Sequence, residues 1–169
     1  INLSSNQFRA PDFVDSVLQS LRNLDLTGDC LELEVTERML MGNDPSLHDA
    51  LRRLRQSGVS LAIDDFGTGF SSLSRLRNLP VDTLKVDRGF VKDLPHNRDD
   101  LAITRAVIAM AHSLSMRVVA EGVEDQRQFD LLKLEGCDEF QGYLCRPAIA
   151  SDDLESLVRQ HGLQLPLSR

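Results

Sequence analysis

Long apolar runs are missing from this 169-residue sequence. The longest, such as Leu61-Ala62-Ile63, fall far short of the about 20 residues that a membrane-spanning helix needs, and no secretory signal opens the chain. Cysteine is scarce too: Cys30, Cys137 and Cys145 are odd in number and lack metal-site spacing, which argues against a disulfide framework. We therefore expect a cytoplasmic protein, or the cytoplasmic part of a membrane-anchored one.

Positive charge is also in short supply. The chain has 19 Lys and Arg against 26 Asp and Glu, a formal net charge of −7. Nonspecific nucleic-acid binding needs a basic surface, so nucleic acid is not an expected partner. A protein this acidic can still handle an anionic ligand if bound cations reverse the local field.

Short β-branched runs alternate with longer amphipathic stretches along the chain. Strands are predicted at residues 31–35, 59–63, 83–86 and 117–120 and near Phe140, and helices at 12–24, 44–56, 99–114, 125–134 and 151–161, with a short one after Ser71-Ser72. This alternation predicts an α/β fold with a parallel sheet and helices outside it. A doubly wound sheet and a (β/α) barrel both satisfy the pattern.

A polar or charged residue lies at the C-terminal end of every predicted strand, if Ile1-Asn2-Leu3 is the tail of one. These residues are Asn2, Glu34, Asp64, Asp65, Lys85, Glu121 and Gln141. In a barrel these ends form a single rim, so the side chains are expected to converge. A complete (β/α)₈ barrel takes about 250 residues, so we expect roughly two units to be absent before Ile1.

Four of these rim residues are carboxylates, and Lys85 is the one cation among them. Oxygen ligands without His or Cys suit hard cations such as Mg²⁺ or Mn²⁺, and two such ions would balance four acids. The pattern favours two-metal phosphoester hydrolysis. Three other interpretations of Lys85 remain open. It can be the base of an enolase-type site, it can form a Schiff base, or it can simply form an ion pair with Asp64 or Asp87.

At these residues the chain resembles the EAL-domain family of bacterial c-di-GMP phosphodiesterases. The matching segments are Asn2-Leu3-Ser4, Glu32-Leu33-Glu34-Val35-Thr36-Glu37, Asp64-Asp65-Phe66-Gly67-Thr68-Gly69-Phe70-Ser71-Ser72-Leu73, Leu84-Lys85-Val86-Asp87, Val119-Ala120-Glu121-Gly122-Val123-Glu124 and Gln141-Gly142-Tyr143-Leu144. They follow the family's order and spacing over nearly the whole chain, which implies a single domain over residues 1–169 with a TIM-like barrel of EAL type.

The resemblance also implies roles for individual residues. The implied ligands of two Mg²⁺ or Mn²⁺ ions are Asn2, Glu34, Asp64, Asp65 and Glu121, with Asp65 the bridge. The implied catalytic residues are Lys85, which positions and activates the attacking water, Glu121 and the supporting Gln141. Glu37 is similar to the glutamate that anchors the loop Phe66, Gly67, Thr68 and Gly69, and the resemblance implicates this loop in dimer communication. It also implies a place at the substrate rim for Glu124.

The implied reaction is hydrolysis of c-di-GMP to linear pGpG, with a homodimer and upstream sensory or GGDEF-type domains as implied partners. The Glu-Ala-Leu segment that names the family, and carries a further metal ligand, is expected upstream of Asn2, so the chain by itself is expected to be inactive. A c-di-GMP receptor without activity is the alternative, and a regulatory scaffold is a third reading. Receptors of this family generally lose metal ligands, whereas Asp64, Asp65 and Glu121 are present here.

Overall fold

The computed structural model describes residues 1–40, 45–67 and 76–161. Five parallel strands form one sheet in the order β1-β2-β3-β4-β5. They are β1 (Glu32–Thr36), β2 (Ser60–Phe66), β3 (Thr83–Val86), β4 (Arg117–Glu121) and β5 (Glu139–Gln141). Each strand lies beside the next in sequence, without the reversal of order that defines a doubly wound sheet. The sheet is therefore an arc of a barrel.

The tail predicted at Ile1-Asn2-Leu3 joins this arc through a single parallel bridge between Asn2 and Glu34. Leu3 N donates to Glu34 O at 2.9 Å, and Glu34 N donates to Ile1 O at 2.9 Å. The first three residues thus lie along the outer side of β1, where a preceding strand belongs.

Helices follow the strands as the alternating pattern predicts. They are α1 (Ser5–Phe8), α2 (Phe13–Asn23), α3 (Glu37–Leu40), α4 (Pro45–Gln56), α5 (Arg88–Val91), α6 (Arg98–Ser113), α7 (Gln126–Leu134) and α8 (Ser151–His161), with a 3₁₀ turn at Gly28–Cys30. The five longer helices confirm the prediction within one residue or so. The three four-residue helices were not predicted, because one turn is too short to show an apolar period. The Asp44 cap and the helix after Ser71-Ser72 lie outside the described residues.

The core lies between the sheet and the helices packed on it. Strand residues such as Val35, Leu61, Ile63, Leu84 and Val118 are fully buried, as expected for parallel strands that are covered on both faces. Among the described residues, none of the helices has both the length and the apolar composition that a bilayer crossing requires.

Polar side chains tie the N-terminal ends of four strands together around Arg117. Its guanidinium donates to Glu139 Oε1 at 2.6 Å, to Glu32 Oε2 at 3.2 Å and to Thr83 Oγ1 at 3.0 Å. Thr83 in turn donates to Glu32 Oε2 at 2.9 Å. This network lies at the end of the sheet opposite the polar rim, where a barrel keeps residues that serve stability.

Candidate metal centre

The C-terminal ends of the strands bring the predicted rim residues together. Asn2 pairs with Glu34 by backbone, Glu121 and Gln141 are neighbours in the β4–β5 register, and Lys85 lies on the strand between β2 and β4. Carboxylate oxygens of Asp64, Asp65 and Glu121 all lie within 4.8 Å of one another. The convergence expected for a barrel is therefore present in the structure, whereas the roles implied for these residues stay predictions.

A β-bulge places Asp64 and Asp65 at the same point of the sheet. Ile63 pairs with Leu84 and Phe66 pairs with Val86, so two aspartates lie opposite the single residue Lys85. Successive residues of a regular strand point to opposite faces, and the extra residue of a bulge breaks that alternation. Asp65 takes a left-handed backbone conformation with φ of 54°, which Asp tolerates better than most residues. The sequence predicts a strand over residues 59–63, which ends before the two aspartates; in the structure β2 runs to Phe66 and contains both of them at the bulge.

Lys85 is the central cation of the site. Its side chain is only 5% exposed, and its Nζ lies 2.6 Å from Glu121 Oε1, 2.9 Å from Glu34 Oε2 and 3.4 Å from Asp64 Oδ1. The sequence offers Asp64 or Asp87 as an ion-pair partner of Lys85. Among the described residues, Lys85 forms ion pairs with Glu34, Asp64 and Glu121 and not with Asp87. One buried ammonium thus holds carboxylates from three strands.

Burial and charge act on the ionisable groups of the site in opposite directions. Burial lowers the pKa of Lys85, but the hydrogen bonds that its ammonium donates to Glu121 and Glu34 outweigh this effect, and the pKa is raised. Burial raises the pKa of Glu121 although Lys85 opposes the shift. The pKa of Asp65 is raised by burial and then by the charges of Asp64 and Asp87. Lys85 is therefore a cation and a hydrogen-bond donor at neutral pH, which does not suit a Schiff-base role.

The donor set fits divalent cations. Asp64 Oδ1 is buried and accepts no hydrogen bond from the described residues. The Asn2 amide has only acceptors around its oxygen; turned with its nitrogen toward them, it donates to Glu34 Oε2 at 2.9 Å and to Asp64 Oδ2 at 3.2 Å. A cation bound between the Asn2 amide oxygen and the carboxylate oxygens of Glu34 and Asp64 would satisfy the same three groups with the amide left in its present orientation. All of these atoms are hard oxygen donors, which Mg²⁺ and Mn²⁺ prefer.

Glu37 links the start of α3 to the segment after β2. It is 3% exposed, and its Oε2 accepts a hydrogen bond from Gly67 N at 3.0 Å. This contact is the one that an anchor of the loop starting at Phe66 requires. Thr68 and Gly69, which complete the predicted loop, lie outside the described residues.

Glu124 and Gln141 lie at the edge of the site. Glu124 Oε1 accepts from Arg88 Nη2 at 2.7 Å, on the exposed surface between α5 and β4. Gln141 is the last residue of β5, and its carbonyl accepts from Val123 N at 3.1 Å. The role of Glu124 at the substrate rim and that of Gln141 in supporting the attacking water remain predictions.

Asp87 is a member of the site that sequence reasoning did not select. Its carboxylate is close enough to Asp65 to add to the rise that burial causes in the pKa of that side chain. Asp87 Oδ1 also accepts from Gly89 N at 2.7 Å, which caps α5. The sequence held a signal for it: Asp87 follows Lys85 by two positions, so both can face the same side of the strand end.

Comparison with known proteins gives one consistent family. The family model described as "EAL domain" matches residues 1–148. The chain is 45% identical over 161 residues to Cyclic di-GMP phosphodiesterase NbdA of Pseudomonas aeruginosa, covering 95% of this chain and 21% of that protein. The chain thus spans about a fifth of the length of the first curated relatives that it matches.

Solved structures agree with the sequence match. The MucR phosphodiesterase in complex with c-di-GMP superposes with a TM-score of 0.86 at 42% identity, over 90% of this chain and 62% of that one. The BlrP1 complex of Klebsiella pneumoniae with manganese and cyclic di-GMP gives a TM-score of 0.78 at 36% identity, over 85% and 37% of the two chains. The fold is part of a TIM-like barrel of EAL type, and the chain belongs to the EAL-domain family.

Proposed function

We propose that this domain hydrolyses cyclic di-GMP to linear pGpG with the help of two divalent cations. The observation that carries the proposal is the cluster of Asp64, Asp65 and Glu121 oxygens within 4.8 Å of one another at the C-terminal rim. The relatives named above support the choice of substrate, since NbdA is named a cyclic di-GMP phosphodiesterase and MucR was solved with c-di-GMP. The manganese in the BlrP1 complex supports the choice of a divalent cation.

The cations would be held by Asn2, Glu34, Asp64, Asp65 and Glu121, with Asp65 as the bridge, and would supply the positive charge that an anionic phosphodiester needs. This charge has to come from bound ions, because the rim carboxylates outnumber the one buried ammonium that faces them. The acidic cluster and the anionic substrate are thereby compatible.

Lys85 is proposed to orient the attacking water and to stabilise negative charge on the phosphate. As an ammonium it can only donate hydrogen bonds, so it positions the water oxygen and does not itself take the water's proton. Its rigid setting among Glu34, Asp64 and Glu121 keeps that donor in place before substrate arrives. Gln141 is proposed to support the same water from β5, and Glu124 to contact the substrate at the rim.

The proposal is tested by product analysis in the protein that carries this chain. With Mg²⁺ or Mn²⁺, c-di-GMP should be converted to pGpG, and chelation should stop turnover. Asp64→Asn should lower kcat by about 10²-fold or more, while Asp49→Asn, which changes an exposed aspartate in α4, should not. Unchanged turnover in Asp64→Asn would sink the mechanism. Tight binding of c-di-GMP with no product from the unsubstituted protein would establish the receptor alternative.

The remaining expectations extend the same proposal. We infer a homodimer formed through the domain, upstream sensory or GGDEF-type domains, and a cytoplasmic location. The free thiols Cys30 and Cys145 are exposed, which suits a reducing compartment. The name of the curated MucR relative, a bifunctional diguanylate cyclase/cyclic di-GMP phosphodiesterase, supports a multidomain arrangement.

A further inference from the structure

A small cavity lies between α1, α3 and the start of α4. Its volume is about 180 Å³, and it is lined by Ser5, Phe8, Arg9, Arg38, Met39, Ser46 and Leu47. Ser5 comes three positions after Asn2, and Arg38 directly follows Glu37. Two of the helices that line the cavity, α1 and α3, therefore begin at the C-terminal end of the sheet, where the proposed metal centre lies, and the lining contains none of the proposed metal ligands.

The lining combines an apolar base with a cationic edge. Phe8 and Leu47 are buried, at 9% and 6% exposure, and Met39 packs against the same core. Arg9 and Arg38 are both exposed. Within the described part of the chain neither guanidinium has an ion-pair or hydrogen-bond partner.

Some arginines of the described surface are held by glutamates: Arg105 pairs with Glu135 and Arg117 with Glu139, each at 2.6 Å. Arg9 and Arg38 are not held in this way by a described glutamate, although the chain has a net charge of −7. No acidic residue is among the described residues that line the cavity. Each guanidinium carries five N–H donors, so Arg9 and Arg38 together can offer ten to an anion at its edge.

Guanidinium forks match the geometry of phosphate oxygens, and an aromatic ring with a thioether suits the flat face of a base or sugar. A cavity of about 180 Å³ is smaller than the roughly 300–1,000 Å³ of sites that enclose a whole ligand. We propose that this cavity binds one phosphate-bearing nucleoside group, with the phosphate between Arg9 and Arg38 and the nucleoside over Phe8 and Met39.

Two sources can supply that chemistry. One is the far half of a cyclic dinucleotide whose scissile phosphate lies at the metal centre; the other is a separate mononucleotide. The choice of a guanine nucleotide as the probe rests on the proposed function, whereas the lining of the cavity stands independently of it.

The test is a calorimetric titration of 5′-GMP into the protein that carries this chain. An Asp64→Asn background removes binding that depends on the metal centre. Arg9→Gln/Arg38→Gln should raise the Kd for GMP at least tenfold. The matched control Arg22→Gln/Arg98→Gln also removes two positive charges, but from exposed arginines outside the cavity, and should leave the Kd unchanged.

A higher salt concentration should weaken the binding of GMP only in proteins that retain Arg9 and Arg38. Equal Kd values in the two double variants, or no binding of GMP to the background protein, would overturn the proposal.

Kinetics with c-di-GMP then distinguish the two sources. If the cavity receives the substrate's far half, Arg9→Gln/Arg38→Gln raises KM about tenfold and leaves kcat unchanged. If it binds a separate mononucleotide, KM is unchanged while the Kd for GMP still rises. GMP binding that depends on the two arginines, in a protein that does not hydrolyse c-di-GMP, would refute the proposed function and leave the cavity assignment intact.

Discussion

Lys85 shows at the scale of one residue how the acidic rim is held together without bound cations. A nearly buried ammonium in contact with three carboxylates offsets part of their mutual repulsion. Divalent cations bound to the same oxygens would reduce much of the remaining repulsion between these carboxylates. The stability of the fold and the occupancy of the site are therefore coupled through this side chain.

Lys85→Ala should lower the free energy of unfolding by about 3 kcal/mol in the presence of a chelator, because it leaves buried carboxylates without a partner. Mn²⁺ should restore part of this loss by supplying charge at the same oxygens. Urea unfolding in EDTA and in Mn²⁺ measures both effects. Lys92→Ala, which removes an exposed ammonium, is the control and should change little in either condition. Equal losses in the two variants would contradict the central place given to Lys85.

Cys137 should react slowly with a thiol reagent while Cys30 and Cys145 react fast. Burial raises the pKa of Cys137 to about 11, and its Sγ–H donates to Glu139 O at 3.2 Å. Only the thiolate is reactive, so at pH 8 Ellman's reagent should modify two thiols quickly and the third only on unfolding. Three equally fast thiols in the folded protein would contradict the assignment.

The same shift has a consequence for stability. A thiol whose pKa is raised on folding contributes stability that is present below the unfolded pKa of about 9. That contribution should be lost as the pH rises from about 9 to about 11, because the unfolded chain loses its proton first. The loss of unfolding free energy over this window should be smaller in Cys137→Ala than in the unsubstituted protein. If the free energy of unfolding of Cys137→Ala depends on pH in the same way as that of the unsubstituted protein, Cys137 makes no such contribution.

The bulge in β2 is the structural element on which the site depends. It brings two consecutive aspartates opposite Lys85, where a regular strand would direct one of them away. Left-handed backbone at Asp65 is a requirement of this arrangement.

Substitutions at Asp65 separate the charge from the backbone. Asp65→Asn keeps a residue that tolerates positive φ, whereas a β-branched residue does not. Asp65→Val should therefore be less stable than Asp65→Asn by about 1–2 kcal/mol in EDTA, although both remove the carboxylate. Chemical unfolding of the two variants measures the difference. If they prove equally stable, the left-handed conformation at the bulge is not a constraint.

The Arg117 network makes the opposite end of the sheet a site of stability alone. Arg117→Gln should cost about 1 kcal/mol of unfolding free energy, since its partners lie on three different strands, but Arg117 and the two glutamates remain partly exposed. Turnover of c-di-GMP by the folded protein should not change. Arg127→Gln, which breaks a single exposed contact with Asp125 at 3.4 Å, should have a smaller effect. A large loss of kcat in Arg117→Gln would contradict the separation of the two ends.

At the scale of the whole molecule, the parallel sheet and the rim of polar residues could be predicted from the sequence. β3 was predicted to the residue, since its apolar run is short and clearly bounded. The sequence left the doubly wound and barrel alternatives open, because strand order depends on long-range pairing that a linear pattern does not contain. The sequence predicts Asp64 as a partner of Lys85, and the structure has that ion pair. It does not predict the contacts of Lys85 with Glu34 and Glu121 or the place of Asp87 beside Asp65, because these depend on which strands are neighbours and on the bulge.

The rim is proposed to bind two divalent cations with Asp65 as their bridge, and electron paramagnetic resonance of Mn²⁺ titrated into the protein that carries this chain can detect such a pair. We predict two bound Mn²⁺ ions with the spectrum of a spin-coupled pair, and loss of the coupling and of at least one ion in Asp65→Asn. The coupled-pair spectrum and the stoichiometry persisting in Asp65→Asn, or the absence of any Mn²⁺ binding, would contradict the claim.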